Sequence, residues 1–156
     1  MNIFVLHENP ETAATMACDK HVVKMIVETA QMLCAVGVSK GYEMPYKATH
    51  KHHPCTLWAG ASQSNWDWLI EHGIALCTEY TVRYGRVHKS QQIIEHARDI
   101  NILFDEQQLT PFAQAMPPQY RNDCAVTAYR AYYMGEKAAF ATWKTQTPNW
   151  WRENVV

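Results

Sequence analysis

Apolar positions recur with a helical period along most of the chain, and residues 19–36 show it best. Val22, Met25, Ile26, Thr29, Leu33 and Val36 follow the three-and-four spacing of a core-facing stripe. Val23, Val27, Ala30 and Cys34 widen that face, leaving a narrow polar strip of His21, Lys24, Glu28 and Gln31. A helix apolar nearly all round is normally buried, so its polar strip is expected to face water or a cavity. Gly37 is the expected stop.

The remaining elements follow from similar punctuation. Residues 2–6 read as a short strand or as an apolar anchor for the N-terminus. Asn9-Pro10-Glu11 has the order of an N-cap, an N1 proline and a first-turn acid. A loop of about 15 residues follows the first long helix. Pro54 then opens a short helix through Trp58. Ser64 with Asp67 three residues on predicts the start of a second long helix carrying Trp66, Leu69, Ile70, Leu76, Cys77 and Tyr80 and ending near Gly85. A weaker helix spans 90–104, a proline-containing connector 110–118, and Asp123 caps a last helix reaching Trp143. With no repeat, residues 1–156 predict one all-α domain, compact and of three to five helices.

Composition narrows the function classes. The chain of 156 residues is 47% hydrophobic and 19% charged, enough to bury a core. A formal net charge of −1 excludes a polycation held to nucleic acid by bulk charge, and equally an acidic mimic of nucleic acid, but not a local basic stripe. Uninterrupted apolar runs fall short of the roughly 20 residues of a membrane span, and the first residues lack a signal-peptide pattern. Five cysteines without a Cys-x-x-Cys argue against a disulfide framework or zinc ribbon, and a cytoplasmic protein is expected, in the host cytoplasm if viral. Eight His, eight Tyr and six Trp are the unusual numbers, and they point to a pocket for a planar ring.

Chemistry has three candidate places. The strip His21, Lys24, Glu28 can supply a general acid/base beside an amine, although a solvated face with a Lys24–Glu28 pair has the same spacing. The run His50, Lys51, His52, His53, Cys55 is dense enough in imidazole to ligate a transition metal, or can form a loop that donates hydrogen bonds to phosphate or base. On the last helix Arg130, Lys137 and Lys144 recur every seven residues, a basic stripe about 20 Å long, with Tyr129, Tyr133 and Phe140 alongside. Small residues occupy its other face. Basic plus aromatic is the make-up of a surface that follows phosphates and stacks bases, or of cations snorkelling round a tyrosine-rich core edge. Arg83, Arg86, His88 and Lys89 add a second basic cluster.

The order of short motifs resembles that of the phage-type pyrimidine-dimer DNA glycosylase/AP lyases, the endonuclease V family of the T-even phages. Asp19-Lys20-His21 followed by Glu28 matches that family's Asp-x-His and catalytic glutamate. Thr49 to Pro54 and Arg83-Tyr84-Gly85 match its central segment and the end of its long helix. Met116-Pro-Pro-Gln-Tyr-Arg-Asn-Asp123, Glu136-Lys137 and Thr147-Pro-Asn-Trp-Trp151 follow in the family's order. The resemblance implies a glycosylase-like all-α fold and an enzyme that cleaves the glycosidic bond of a damaged or modified pyrimidine in DNA, then acts as a lyase. It implies Glu28 as the acid/base and an amine nucleophile forming a Schiff base at C1′.

The family's nucleophile is the α-amine of an N-terminal Thr followed by Arg, whereas this chain begins Met1-Asn2-Ile3. The amine is therefore expected from Met1 or Lys24, with His21 tuning Glu28. Val27, Gln31 and Tyr133 stand where the family carries arginines. Substrate contacts are expected from His50, Lys51, His53, Arg83, Tyr129, Arg130, Tyr133 and Lys137, with the extruded base in a pocket walled by tryptophan and tyrosine. No cofactor and no membrane are expected, DNA or a nucleotide is the expected substrate, and protein partners are not indicated. Two other classes fit the residues: a metal-dependent enzyme with a divalent transition metal on His21, His50, His53 and Cys55, and a non-catalytic nucleic-acid-binding module.

Overall fold

The structure, a computed structural model, describes residues 1–152. Its elements in chain order are α1 (Pro10–Met16), α2 (Asp19–Ser39), α3 (Pro54–Ala59), α4 (Gln63–Tyr84), α5 (Gln91–Asp99), a 3₁₀ turn at Pro118–Tyr120, α6 (Ala125–Glu136) and α7 (Asn149–Arg152). The protein is all-α, with no strand among the described residues. Of the two readings of residues 2–6, the anchor is the one found. Ile3, Phe4, Val5 and Leu6 run extended and buried through the fold.

α2 is the centre, with α3, α4 and α5 packed on it and α1 laid on α4. Its length and hydropathy would suffice to cross a membrane, but most of it is buried against those helices, as in the core helix of a compact fold. Gly73 lets α4 cross closely, since a Cβ there would sit 2.9 Å from Thr29 Cγ2 and 3.2 Å from Ile94.

Several boundaries differ from the sequence expectation. α2 continues through Gly37, against which Met44 packs, and Gly41 (φ 90°) supplies the left-handed residue beyond its end. α4 starts one residue before Ser64, because Ser62 Oγ accepts from Asn65 N–H, whereas Ser64 Oγ donates to the Gln107 carbonyl. α5 stops at Asp99, not at 104.

The largest difference is in α6, which begins after Cys124 and ends at Glu136. The chain beyond turns back to serve the start of α2. Asp19 N–H donates to the Thr142 carbonyl (2.8 Å), Lys144 N–H donates to Asp19 Oδ1 (3.0 Å), and Trp143 Nε1 donates to the Met16 carbonyl (2.9 Å). The expected basic stripe therefore does not form, because Lys144 lies off the helix.

Arg83 is a structural residue rather than a surface contact. Its wholly buried guanidinium donates to Asp19, Glu79 and the carbonyls of Thr15 and Ala17, tying the α1–α2 junction to the end of α4.

Candidate active site

The site begins with the chain's first residues. Asn2 is buried, and its Nδ2 donates to the Ala115 carbonyl (2.8 Å). Its Oδ1 accepts from Ile3 N–H (2.8 Å) and from the Tyr129 hydroxyl (2.8 Å). Four residues on, Arg130 Nε donates to the Leu6 carbonyl (2.9 Å) while its guanidinium lies over the Trp150 ring. These α6 contacts hold the N-terminal segment in place.

Thus fixed, the Met1 α-amine lies 3.0 Å from Glu28 Oε1, and Lys24 Nζ lies 3.8 Å from Glu28 Oε2. The two amines differ: the Met1 group is nearly enclosed and the Lys24 side chain is 67% exposed. Glu28 Oε1 is buried, with the α-amine at ion-pair distance.

These groups line a cleft of about 330 Å³ with Phe4, His21, His53, Tyr132 and Lys137. Phe4 stacks on His21 (4.3 Å between centroids) and on Tyr132 (6.2 Å), and Lys137 Nζ lies 4.7 Å above the Tyr132 ring. Burial, then Lys137, Lys24 and Lys20, push the His21 pKa down to about 3, so its imidazole is neutral. Burial and the neighbouring α-amine lower that of His53. His53 Nδ1 accepts from Cys55 N–H and caps α3. The cleft thus brings together three cationic amines, two histidines and one carboxylate.

A larger cavity of about 490 Å³ opens between α1 and α4, lined by Glu11, Glu71, Glu79 and Arg98. Three carboxylates suit a phosphate backbone poorly.

Of the residues singled out in the sequence, Met1, His21, Lys24, Glu28, His53 and Lys137 meet in this cleft. His50 and Lys51 are exposed on the turn before His53, with His50 at φ 53°. Tyr129 and Tyr133 are fully buried, with hydroxyls spent on Asn2 and His21, so they offer no face to a base. Arg130 is committed to Leu6 and Trp150.

The tryptophans are absent from the cleft wall: Trp58, Trp66, Trp68 and Trp150 are core residues. Among the described residues no three His, Cys, Asp or Glu side chains converge as metal ligands, so His21, His50, His53 and Cys55 do not form the alternative centre. Cys55 instead packs its thiol on Asn2 Oδ1, and burial pushes its pKa up to about 11. The α2 strip does face a cavity, since His21, Lys24 and Glu28 all line the cleft. His21 and Glu28 are buried, and the outward face of α2 is Lys20, Val23, Lys24 and Val27.

Asn2, Phe4 and Tyr132 were not singled out by sequence reasoning. A lone Asn ahead of four apolar residues was the available signal for the first, since a polar group entering a core needs dedicated partners.

A family model of pyrimidine dimer DNA glycosylases matches residues 1–93, the stretch that carries Met1, His21, Lys24, Glu28 and His53. The chain belongs to that family. As a member of this glycosylase family it is an enzyme of DNA repair with DNA as its substrate. No curated protein and no solved structure gives a significant match. Tyr129, Tyr133 and Lys137 of the glycosylase lie beyond the matched stretch.

Proposed function

We propose that this glycosylase excises a damaged pyrimidine through the Met1 α-amine, with Glu28 as its acid/base, and then cleaves the strand as a lyase. The observation that carries this reading is the 3.0 Å approach of the α-amine to a buried carboxylate. The α-amine is also nearly enclosed where the Lys24 side chain is exposed, which favours Met1 as nucleophile.

In the first step the free amine attacks C1′ and the glycosidic bond breaks, the pyrimidine leaving with the bonding pair. Glu28 takes the proton released by the amine. Glu28 then passes that proton to O4′ as the C1′–O4′ bond opens, which leaves a protonated Schiff base and restores the carboxylate. Removal of a C2′ proton by the Glu28 carboxylate expels the 3′ phosphate. Lys137, Lys24 and His53 ring the site as the phosphate-facing groups, and Phe4 and Tyr132 are the aromatic surface nearest the reacting sugar. The few cations of the cleft, rather than bulk charge, supply the attraction to DNA.

The test is borohydride trapping on ultraviolet-irradiated duplex DNA, with the adduct mapped by peptide mass spectrometry. The expected adduct is on the Met1 peptide and is lost in Glu28→Gln. An adduct on Lys24, or base release without any trapped adduct, overturns the assignment of the nucleophile. DNA binding unchanged by loss of Glu28 and His21, with no excision by the native protein, returns the chain to a binding role.

A further inference from the structure

Behind His21 lies a buried chain of contacts that the amine chemistry does not use. The Tyr133 hydroxyl is 2.6 Å from His21 Nδ1, accepts from Cys18 N–H at 3.2 Å, and lies 3.6 Å from Cys18 Sγ. The imidazole is held on its faces and edges too, with Phe4 stacked on it and the rings of Tyr133 and Phe140 edge-on at 5.2 and 5.6 Å.

A phenol has one proton to give. Here it has two acceptors within reach, an imidazole nitrogen at 2.6 Å and a thiol sulfur at 3.6 Å, and the nitrogen is both the closer and the better acceptor. A neutral imidazole whose Nδ1 accepts carries its proton on Nε2. Tyr133 keeps its own proton, because burial raises its pKa well above the phenol range. The charged groups about the ring are Lys20 and Lys24 on α2 and Lys137 after α6, with Glu28 and the Met1 amine sharing the cleft. The three lysines reinforce burial in keeping the ring uncharged.

We propose that Tyr133 is a positioning residue that fixes His21 as a neutral imidazole with its Nε2–H in the cleft, making His21 an uncharged hydrogen-bond donor to a substrate oxygen beside Glu28. The advantage is electrostatic. Positive charge develops at the sugar carbon as the base departs, and an imidazolium there would oppose it, whereas a neutral N–H orients an oxygen without adding charge. The proposal rests on the cleft being the active site. The tautomer itself belongs to the free protein and is testable without DNA.

The first experiment is ¹⁵N–¹H spectroscopy of the histidine rings in the full chain without ligand, between about pH 5 and 8, where an ordinary histidine titrates. His21 is expected to show an unprotonated Nδ1 and a protonated Nε2 throughout, and Tyr133→Phe to disturb the Nδ1 signal. A proton on Nδ1, or an imidazolium within that range, overturns the proposal.

The second experiment avoids the buried tyrosine. Glutamine extends an amide N–H to about the place of Nε2, whereas asparagine reaches only that of Nδ1. His21→Gln is expected to excise pyrimidine dimers within about tenfold of the native rate, the scale of one altered hydrogen bond, and His21→Asn more slowly than His21→Gln. Equal losses of about 10²–10⁴-fold in both variants would mark proton transfer and overturn the proposal. A native protein that excises nothing would instead sink the proposed function, and the ring spectra would still decide the tautomer.

Discussion

α2 and α6 both contribute to the cleft, and they contribute different things. From α2 come groups that line it: the Glu28 carboxylate, the Lys24 amine and the His21 ring. α6 supplies Tyr132 to the wall and two buried phenols behind it. Tyr129 grips Asn2, and through it the Met1 amine, and Tyr133 grips His21. Reactive groups sit at the cleft and the groups that aim them sit in the interior, where a hydrogen bond has no water to compete with it. The contrast teaches that a buried tyrosine far along the chain can hold a cleft group in place without lining the cleft itself.

Disabling the cleft groups should have the largest effect. Glu28→Gln, or acetylation of the Met1 α-amine, should lower excision of dimers by at least about 10²–10⁴-fold, the range typical of a lost general acid/base, with the urea midpoint within error of native. A rate within tenfold of native would move the chemistry elsewhere. Disturbing the interior should do the reverse. Arg83→Met should cost about 3–5 kcal/mol in urea denaturation, because Asp19 and Glu79 lose a buried partner. Fluorescence anisotropy should show DNA affinity unchanged for whatever fraction stays folded.

Acid should also act on the interior. His21 and His72 have folded pKa values of about 3 and about 4 against 6.5 unfolded, so the unfolded chain binds more protons as pH falls. Stability should therefore be full above pH 6.5 and decline from there towards pH 4. His72→Asn, which can keep a donor towards the Pro10 carbonyl, should flatten that decline.

A smaller effect is expected at the link between the two regions. Tyr129→Phe removes one hydroxyl and should cost about 1 kcal/mol of stability. It should lower kcat more than it raises KM, since it loosens the amine and not the DNA contacts; a pure KM effect would break the proposed division of roles. The smallest is Lys137→Met, which should weaken DNA binding uniformly across sequences and reduce the magnitude of the salt dependence by about one phosphate contact.

Much of the α2 side was legible in the sequence, because a narrow polar strip on so apolar a helix has to face water or a cavity. Glu28 and His21 belong to that strip. α1 was legible from the Asn9-Pro10 start, and its N-cap contact, Asn9 Oδ1 to Thr12 N–H, is present. α6 was harder. Its apolar and basic periodicity runs past Glu136 into Lys144, but the helix ends where Thr142, Trp143 and Lys144 gain partners around the start of α2. That competition is tertiary, and no local propensity reports it. Tyr129, Arg130 and Tyr133 read as a binding surface for the same reason: the N-terminal segment they grip is more than a hundred residues away in sequence.

That separation bears on how the enzyme comes into being. The contacts that finish the cleft span 127 residues (Tyr129 to Asn2), 112 (Tyr133 to His21) and 125 (Lys144 to Asp19). Contacts of such high order carry a large loop-closure cost and form late in folding. The N-terminal segment is thus among the last to find its partners. A nascent chain that has reached α5 holds Glu28 and Lys24 but nothing to aim the α-amine or the imidazole. Competence to excise a base should arrive abruptly, once α6 and the segment to Lys144 have been made.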